Sequence, residues 1–211
     1  MNVNEIFYSI QGESTRAGLP CTFVRLTGCH LRCVYCDTAY AFHEGHPMTV
    51  KEVADGVAAH GCGFVTITGG EPLLQWEVHD LMTLLADTGY TVQLETSGAV
   101  DIGRVDRRVR VILDIKTPGS GMAAEMDWGN LGRLKPGDEV KVVLTGRPDY
   151  EWTREKLKEL PLPAGVPVLL SPAHGVLDPR DLAEWMKTDH LDARLQLQIH
   201  KYIWGANARG V

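Results

Sequence analysis

Residues 28–38 read Gly28-Cys29-His30-Leu31-Arg32-Cys33-Val34-Tyr35-Cys36-Asp37-Thr38 and place three cysteines within eight residues. They follow Thr22–Leu26, a run that is typical of a β-strand. Three thiolates with the spacing C-x3-C-x2-C can bind three irons of a [4Fe-4S] cluster and leave the fourth iron open to another ligand. We therefore expect Cys29, Cys33 and Cys36 to hold such a cluster.

A structural zinc site is the alternative for the same cysteines. Closed tetrahedral zinc needs four ligands, so His30 or His43 would have to supply the fourth. The chain has five cysteines, an odd number, and the clustering of three of them favours metal binding over disulfides in a reducing compartment. Cys21 and Cys62 lie outside the cluster motif and are predicted to be small buried side chains.

Strand-like segments alternate with helical ones along the rest of the chain. Strands are predicted at Thr22–Leu26, Phe64–Thr68, Thr91–Glu95, Val109–Asp114, Glu139–Leu144, Val166–Ser171 and Leu195–His200, with Glu5–Ile10 as one further candidate. Helices are predicted at Thr49–His60, Val78–Thr88 and Thr153–Glu159, with a further helix that starts at Asp178-Pro179. Residues Gly119–Lys135 lack periodicity and are predicted to form loops with short helical turns.

This alternation predicts a parallel sheet in an α/β fold. Eight complete (β/α) units need about 250 residues, more than the 211 of this chain. We therefore expect a shortened, open (β/α) barrel, and a single domain over residues 1–211.

Polar residues follow several of the predicted strands. The segments are Thr68-Gly69-Gly70-Glu71-Pro72, Glu95-Thr96-Ser97-Gly98, Asp114-Ile115-Lys116 and Ser171-Pro172. In parallel (β/α) folds the loops after the carboxyl ends of the strands build the functional site. These residues are therefore expected at the same rim as the cysteines.

Composition narrows the class of protein. The formal net charge is −6, and no basic cluster suited to phosphate neutralisation is present, so nucleic acid is not an expected partner. No apolar run approaches the ~20 residues of a membrane span. Since the first residues also lack the features of a signal peptide, we expect a cytoplasmic protein without membrane association.

Two motifs together resemble the radical S-adenosylmethionine superfamily: the cysteine spacing with Tyr35 between the last two thiols, and Gly69-Gly70-Glu71-Pro72 after the next strand. The resemblance implies that S-adenosylmethionine binds the open iron and yields a 5′-deoxyadenosyl radical, the cofactor supplying the difficult chemistry. It also implies cofactor contacts from Tyr35, Asp37, Gly70, Glu71, Glu95, Ser97, Lys116 and Ser171. For Glu95 and Lys116, a buried ion pair or a solvated rim remains an alternative.

The N-terminal stretch Glu5-Ile6-Phe7-Tyr8-Ser9-Ile10-Gln11-Gly12-Glu13-Ser14 is similar to the 7-carboxy-7-deazaguanine synthase family. Gly18-x-Pro20, Phe23-x-Arg25, Cys36-Asp37-Thr38 and His200-Lys201-Tyr202 extend the resemblance over nearly the whole chain. It implies ring contraction of 6-carboxy-5,6,7,8-tetrahydropterin to 7-carboxy-7-deazaguanine with release of ammonia, on the route to queuosine and other 7-deazapurines. A homodimer, Mg²⁺ and an electron donor such as flavodoxin or ferredoxin are implied as well.

The substrate would need a cation for its carboxylate and acceptors for its guanidine-like edge. Arg25 is the candidate for the carboxylate, and the Ile10 carbonyl with Gln11, Gly12 and Glu13 for the pterin edge. Thr68 and His200 complete the substrate set, and Thr38 resembles the family's magnesium-binding threonine. The alternatives are a surface charge for Arg25, a core histidine for His200 and a helix or turn cap for Thr38.

Two features depart from the family pattern. The chain continues through Trp204–Val211 beyond His200-Lys201-Tyr202, so no role is carried over to its terminal residues. Asp114-Ile115-Lys116 stands where many relatives have Ser-Pro-Lys. This weakens the cofactor assignment of Asp114 and Ile115 but not that of Lys116.

Two rival functions are open: another radical enzyme, and a protein of a different class that is not an enzyme. A glycyl-radical activase shares the cysteine spacing but needs an open groove for a peptide loop. A non-catalytic zinc or electron-transfer module would not need the Gly-Gly-Glu-Pro loop.

Overall fold

A computed structural model describes residues 1–159 and 162–211 as one nine-stranded sheet with helices. The strand order is β3-β1-β2-β4-β5-β6-β7-β8-β9. The strands are β1 Asn2–Ile10, β2 Pro20–Leu26, β3 His46–Pro47, β4 Phe64–Gly69, β5 Thr91–Thr96, β6 Arg110–Ile115, β7 Glu139–Leu144, β8 Val168–Pro172 and β9 Arg194–Leu195. The helices are α1 Val50–Ala59, α2 Val78–Asp87, α3 Arg147–Glu159, α4 Pro179–Thr188 and α5 Ile199–Trp204.

The sheet is parallel except at one edge, where β1 pairs antiparallel with both β2 and β3. From β2 to β9 every neighbouring pair is parallel. The two outer strands, β3 and β9, lie at opposite edges of the sheet. The predicted open (β/α) architecture is thus confirmed.

The core lies between one face of the sheet and helices α1 to α4. Alternate strand residues such as Val24, Ile67 and Leu94 are fully buried there against Leu81 of α2 and Leu182 of α4. Because successive strand side chains point to opposite faces, the residues between them are displayed on the other face. That second face carries the functional site.

Local sequence explains where the helices begin. Thr49 accepts a hydrogen bond from the Glu52 amide while the Glu52 side chain bonds back to the Thr49 amide, which is the capping box predicted for α1. Asp178 accepts from the Arg180 amide at the start of α4, directly before Pro179. Within the described residues, no helix is long and apolar enough to cross a membrane.

Most predicted elements are confirmed, although some ends differ. Strands β2, β4, β5, β6, β7 and β8 lie where they were predicted, with ends shifted by at most two residues. Strand β1 starts three residues earlier than predicted. Helix α3 begins at Arg147 rather than Thr153. Residues 119–135 contain short 3-10 helices at Pro118–Ser120, Ala123–Glu125 and Trp128–Arg133, as expected for loops with helical turns.

The strand predicted over Leu195–His200 is wrong. Strand β9 ends at Leu195, and Ile199 begins α5. The alternation of Leu195, Leu197 and Ile199 indicated a strand, but the Ile199 amide donates to the Gly12 carbonyl at 3.0 Å. A contact with the N-terminal segment therefore overrides the local pattern.

Candidate functional site

A cavity of about 380 Å³ opens at the carboxyl ends of the parallel strands. Its size falls within the range of small-molecule sites. Most of the predicted site residues line it: Ile10, Gln11, Gly12, Glu13, Arg25, Cys29, Cys33, Tyr35, Cys36, Asp37, Thr38, Thr68, Gly70, Glu95, Ser97, Lys116 and His200. The fold thus gathers residues from the N-terminal segment, the cysteine loop, the strand ends and α5 around one space.

The cysteine loop is held in place by backbone hydrogen bonds. The Gly28 amide donates to Ala41 at 2.8 Å, the Val34 amide to Ser120 at 3.1 Å, and the Glu71 amide to Gly28 at 2.8 Å. Arg32 also donates to the Cys29 carbonyl at 2.8 Å and lies over the Phe42 ring. The loop can therefore keep its shape independently of what binds the thiols.

The three cysteines of the motif all line the cavity. All three are free and half-buried. Burial raises the pKa of the Cys29 and Cys33 thiols, which favours their protonated form. Because iron binds the thiolate, each thiol must lose its proton when the cluster binds. The histidines of the zinc alternative, His30 and His43, lie outside the lining.

Gly70 sits where the loop after β4 meets the cysteine loop. A Cβ there would lie 2.1 Å from the Gly28 carbonyl oxygen and 2.8 Å from Cys29 Cβ. Only glycine permits this approach of the two loops.

Glu71 and Ser171 are exceptions among the predicted cofactor contacts, because neither lines the cavity. The Glu71 carboxylate is fully buried and accepts from the Thr96 hydroxyl at 2.9 Å, the Ser97 amide at 2.7 Å and the Leu73 amide at 3.0 Å. It joins the ends of β4 and β5 behind the site. Ser171 is 1% exposed in β8, beneath the lining.

A buried charge network crosses the floor of the cavity. Lys141 of β7 pairs with Glu13 and lies 3.9 Å from Asp114 Oδ2, which also pairs with Lys116 at 2.9 Å. Lys116 therefore occupies the ion pair that the sequence left as its alternative. Asp114 and Lys141 are register partners across β6 and β7, so the sheet itself sets this contact.

The two glutamates of the cavity have opposite protonation preferences. Burial raises the pKa of Glu95 to about 7, with Lys141 acting against the shift. Burial acts in the same direction on Glu13, but the Lys141 ammonium and the bonds from Lys141 and Gln198 hold the pKa of Glu13 below its ordinary value. The anionic form of Glu13 is therefore favoured, while the protonated form of Glu95 is favoured relative to an exposed glutamate.

The N-terminal residues 11–13 and α5 form the wall of the cavity together. The Gln11 side chain donates to Thr66 at 3.0 Å and accepts from the Glu13 amide at 3.1 Å, so both of its ends are engaged by the protein. A Cβ on Gly12 would lie 2.0 Å from His200 Nδ1. His200 is thus a half-buried residue of the lining, on a helix rather than on a strand, and burial lowers its pKa.

Arg25 points its guanidinium into the cavity. Its Nε donates to Glu5 Oε1 at 2.7 Å, and the same oxygen accepts from the Tyr40 hydroxyl at 3.0 Å. Within the described part of the chain, neither Nη atom of Arg25 has a hydrogen-bond partner. Arg25 is therefore oriented by the protein and left with two donors for a ligand.

Thr38 lies directly after the cysteine loop with its hydroxyl 3.9 Å from Cys36 Sγ. It precedes the 3-10 helix Ala39–Phe42 but, among the described residues, makes no side-chain capping bond. The capping alternative is therefore not what this conformation shows. Its neighbour Asp37 pairs with Lys201 of α5 at 2.5 Å.

Several lining residues were missed in the sequence. Lys141 had a usable signal, since it is a charge within the buried strand β7. Gln198 had none, because the fold of α5 brings it to the cavity, and Lys201 was part of the His200-Lys201-Tyr202 motif but was given no role. The sequence predicts no role for the C-terminal tail, yet Ala206, Asn207 and Val211 line the cavity.

Comparisons with known proteins agree with this geometry. The model of the Radical SAM superfamily matches residues 23–120. A protein from Chlorobaculum tepidum named 7-carboxy-7-deazaguanine synthase is 45% identical, with 100% of this chain and 97% of the relative covered. A protein of the same name from Koribacter versatilis is 44% identical, with both chains covered completely. The crystal structure of QueE from Escherichia coli is similar with a TM-score of 0.78 and 25% identity, covering 93% of this chain and 92% of that one.

Proposed function

The chain belongs to the 7-carboxy-7-deazaguanine synthase family of radical S-adenosylmethionine enzymes, and we propose that it contracts 6-carboxy-5,6,7,8-tetrahydropterin to 7-carboxy-7-deazaguanine with release of ammonia. One observation supports this most strongly. The three cysteines of the cluster motif line the same cavity as the oriented Arg25 and the two glutamates Glu13 and Glu95. The proposal treats residues 1–211 as one domain.

Cys29, Cys33 and Cys36 would hold the [4Fe-4S] cluster, with Gly70, Tyr35 and Ser97 placed for S-adenosylmethionine. Lys116 lines the same cavity while it is paired with Asp114. When bound, the cluster and S-adenosylmethionine supply the 5′-deoxyadenosyl radical. Glu71 is assigned a supporting role, since protein donors already occupy its carboxylate.

The protein's own residues would orient the substrate. The two free Nη groups of Arg25 match a carboxylate, which can accept both of them. Anionic Glu13 offers an acceptor to the guanidine-like edge of the pterin, while Gln11 holds the Glu13 amide in position. Glu95, with its pKa near 7, can hold or release a proton beside the bound ring at neutral pH.

We further propose that Thr38 contributes its hydroxyl to Mg²⁺. The support is that this hydroxyl faces the cavity without a capping role. Mg²⁺ commonly takes few protein ligands and retains waters or substrate oxygens, so one hydroxyl is a sufficient protein contribution.

Three wider assignments remain proposals. An electron donor such as flavodoxin or ferredoxin would reduce the cluster. A cytoplasmic location fits the five free cysteines. A homodimer is supported by the exposed apolar side chains Tyr202, Ile203 and Trp204 of α5, and size-exclusion chromatography with light scattering would test it.

The deciding experiment is anaerobic reconstitution with iron and sulfide, followed by incubation with the carboxypterin, S-adenosylmethionine and a reductant. Mass analysis should detect 7-carboxy-7-deazaguanine from the wild type. Cys33→Ala should abolish cleavage of S-adenosylmethionine because one iron loses its thiolate, whereas Cys62→Ala should retain it. Cleavage of S-adenosylmethionine without any product would contradict the proposed substrate, and equal iron and activity in both variants would contradict the cluster assignment.

A further inference from the structure

One side chain of the C-terminal tail, Arg209, contacts the segment that follows the cysteine loop. The Arg209 guanidinium stacks on the Tyr40 ring at 3.7 Å from its centroid, and its Nη1 pairs with Glu44 at 3.0 Å. Tyr40 lies within the 3-10 helix Ala39–Phe42 that follows the cysteine loop, and Glu44 lies two residues after the end of that helix. Arg209 therefore attaches the tail to the segment that continues from the cluster motif.

The Tyr40 ring connects this contact to Arg25. The Tyr40 hydroxyl donates to Glu5 Oε1 at 3.0 Å, and the Arg25 Nε donates to the same oxygen at 2.7 Å. Arg25 also lies near the Tyr40 ring, with 5.9 Å between the guanidinium carbon and the ring centroid. An unbroken series of contacts thus runs from the tail to the cation that faces the cavity.

The Tyr40 hydroxyl is suited to remain a donor in this series. Burial raises the pKa of Tyr40 to about 12, so the phenol keeps its proton at neutral pH. The side chains of Glu5 and Arg25 are only 20% and 14% exposed, so packing restricts their conformations. A change in the Tyr40 ring position would move the Glu5 carboxylate and, through it, the two free Nη groups.

We propose that Arg209 is a positioning residue: by clamping the Tyr40 ring, it fixes Glu5 and Arg25 in the orientation that receives the substrate's carboxylate. This rests on the proposed function, in which Arg25 binds that carboxylate. Arg209 does not touch the ligand itself. It acts through Tyr40, and its effect is confined to ligands that carry the carboxylate.

The test measures binding of two ligands to the reconstituted enzyme with S-adenosylmethionine bound and no reductant. One ligand is the carboxypterin, and the other is 5,6,7,8-tetrahydropterin, which lacks the carboxylate. Arg209→Ala should weaken carboxypterin binding by about three- to fivefold, the range expected for an exposed cation–π contact, and leave tetrahydropterin binding unchanged. Arg209→Lys should recover part of the loss, because it keeps the positive charge.

Tyr40→Phe keeps the ring but removes the hydroxyl, so it should weaken carboxypterin binding by about three- to tenfold. In the double variant, Arg209→Ala with Tyr40→Phe, the fold-loss of carboxypterin affinity should be smaller than the product of the two single fold-losses, because both residues act through one series of contacts. Arg104→Ala is the matched control: Arg104 stacks on Trp76 at 3.8 Å, outside the cavity lining, and its loss should change neither affinity. Iron content and the affinity for S-adenosylmethionine should be equal in all variants.

Arg25→Ala distinguishes a failure of the proposed substrate site from a failure of the positioning role of Arg209. If it binds both ligands like the wild type, the proposed substrate site itself is wrong, and the role of Arg209 falls with it. If its affinity for the carboxypterin falls at least about 30-fold while its affinity for tetrahydropterin is unchanged, the proposed substrate site is supported. Arg209→Ala must then show the selective loss, and either wild-type affinity or an equal loss for both ligands would overturn the positioning role.

Discussion

At the scale of single residues, the surroundings of a side chain set its chemistry more than its type does. Glu13 and Glu95 face the same cavity, yet their pKa values move in opposite directions. Glu13 has a direct ion pair with Lys141, while among the described residues Glu95 has only long contacts, from Gln11 at 3.4 Å and Thr68 at 3.5 Å. The same residue type thus supplies a hydrogen-bond acceptor at Glu13 and a group with a pKa of about 7 at Glu95.

The Glu95 pKa has a consequence for stability. The pKa rises from 4.5 to about 7 on folding, so the native state binds the proton more tightly than the unfolded chain does. Stability should therefore fall as the pH rises from about 5 to 7, because burial disfavours the charged form. Glu95→Gln cannot ionise and should gain in thermal midpoint relative to the wild type from pH 5 to pH 8.

The matched control for this comparison is Glu125→Gln, an exposed glutamate. The difference in thermal midpoint between this variant and the wild type should not depend on pH. Besides Lys141 and Glu13, Glu95 is influenced by Arg25 of β2 and Asp114 of β6. If the Glu95→Gln difference were also constant, Glu95 would not titrate in this window.

Thr38→Ala should lower turnover and blunt the response to added Mg²⁺ while leaving iron content unchanged. The reason is that its hydroxyl faces the cavity without capping a helix. Thr49→Ala is a suitable control, since Thr49 does cap α1 and its loss should cost about 1 kcal/mol of stability without altering the Mg²⁺ response. Turnover should be measured across a Mg²⁺ titration after chelator treatment, and identical curves for Thr38→Ala and the wild type would exclude the metal contact.

At the scale of elements, helix α5 completes a site that the strands only begin. It is short, and within the described residues it has no side-chain cap. It is held instead by the Ile199 amide on the Gly12 carbonyl and by the Lys201–Asp37 ion pair. Tertiary packing rather than helix propensity therefore places His200.

Gly12→Ala tests this docking. The added Cβ would lie 2.0 Å from His200 Nδ1, so α5 must shift. We expect KM for the carboxypterin to rise at least about tenfold, because the cavity wall is displaced. Gly63→Ala, where an added Cβ meets nothing within 4 Å, should leave KM unchanged, and an equal effect of the two substitutions would show that the docking contact is not important.

At the scale of the whole molecule, the site depends on charges contributed by distant parts of the chain. Lys141 faces Glu13 and Asp114, with Glu95 near enough to influence its pKa. These groups come from β5, β6, β7 and the N-terminal segment. A buried charge without a partner is costly, so the sheet and the network support each other.

Lys141→Met should remove the shared cation and leave Glu13 unpaired. We expect a loss of about 3–5 kcal/mol, or roughly 6–20 °C in the thermal midpoint for a chain of this size. Adding Glu13→Gln should restore part of that loss, because the uncompensated carboxylate is then gone. Thermal unfolding of both variants checks this, and additive losses would mean that the pair is not coupled.

The amino-acid sequence was sufficient for features that depend on neighbouring residues. The spacing of Cys29, Cys33 and Cys36, the capping box of α1 and the buried strands all follow from local geometry and periodicity. The polar segments after β4 and β5 could be placed at one rim because parallel strands end on the same side of a sheet.

Other features required the folded chain. The pairing of Lys141 with Glu13, the helical form of α5 and the return of Arg209 to Tyr40 join residues far apart in sequence. Local patterns carry no information on such contacts, since strand register and the path of each connection bring the partners together. For the same reason Glu71, which the sequence suggested as a cofactor contact, lies behind the site, where three neighbouring residues occupy its carboxylate.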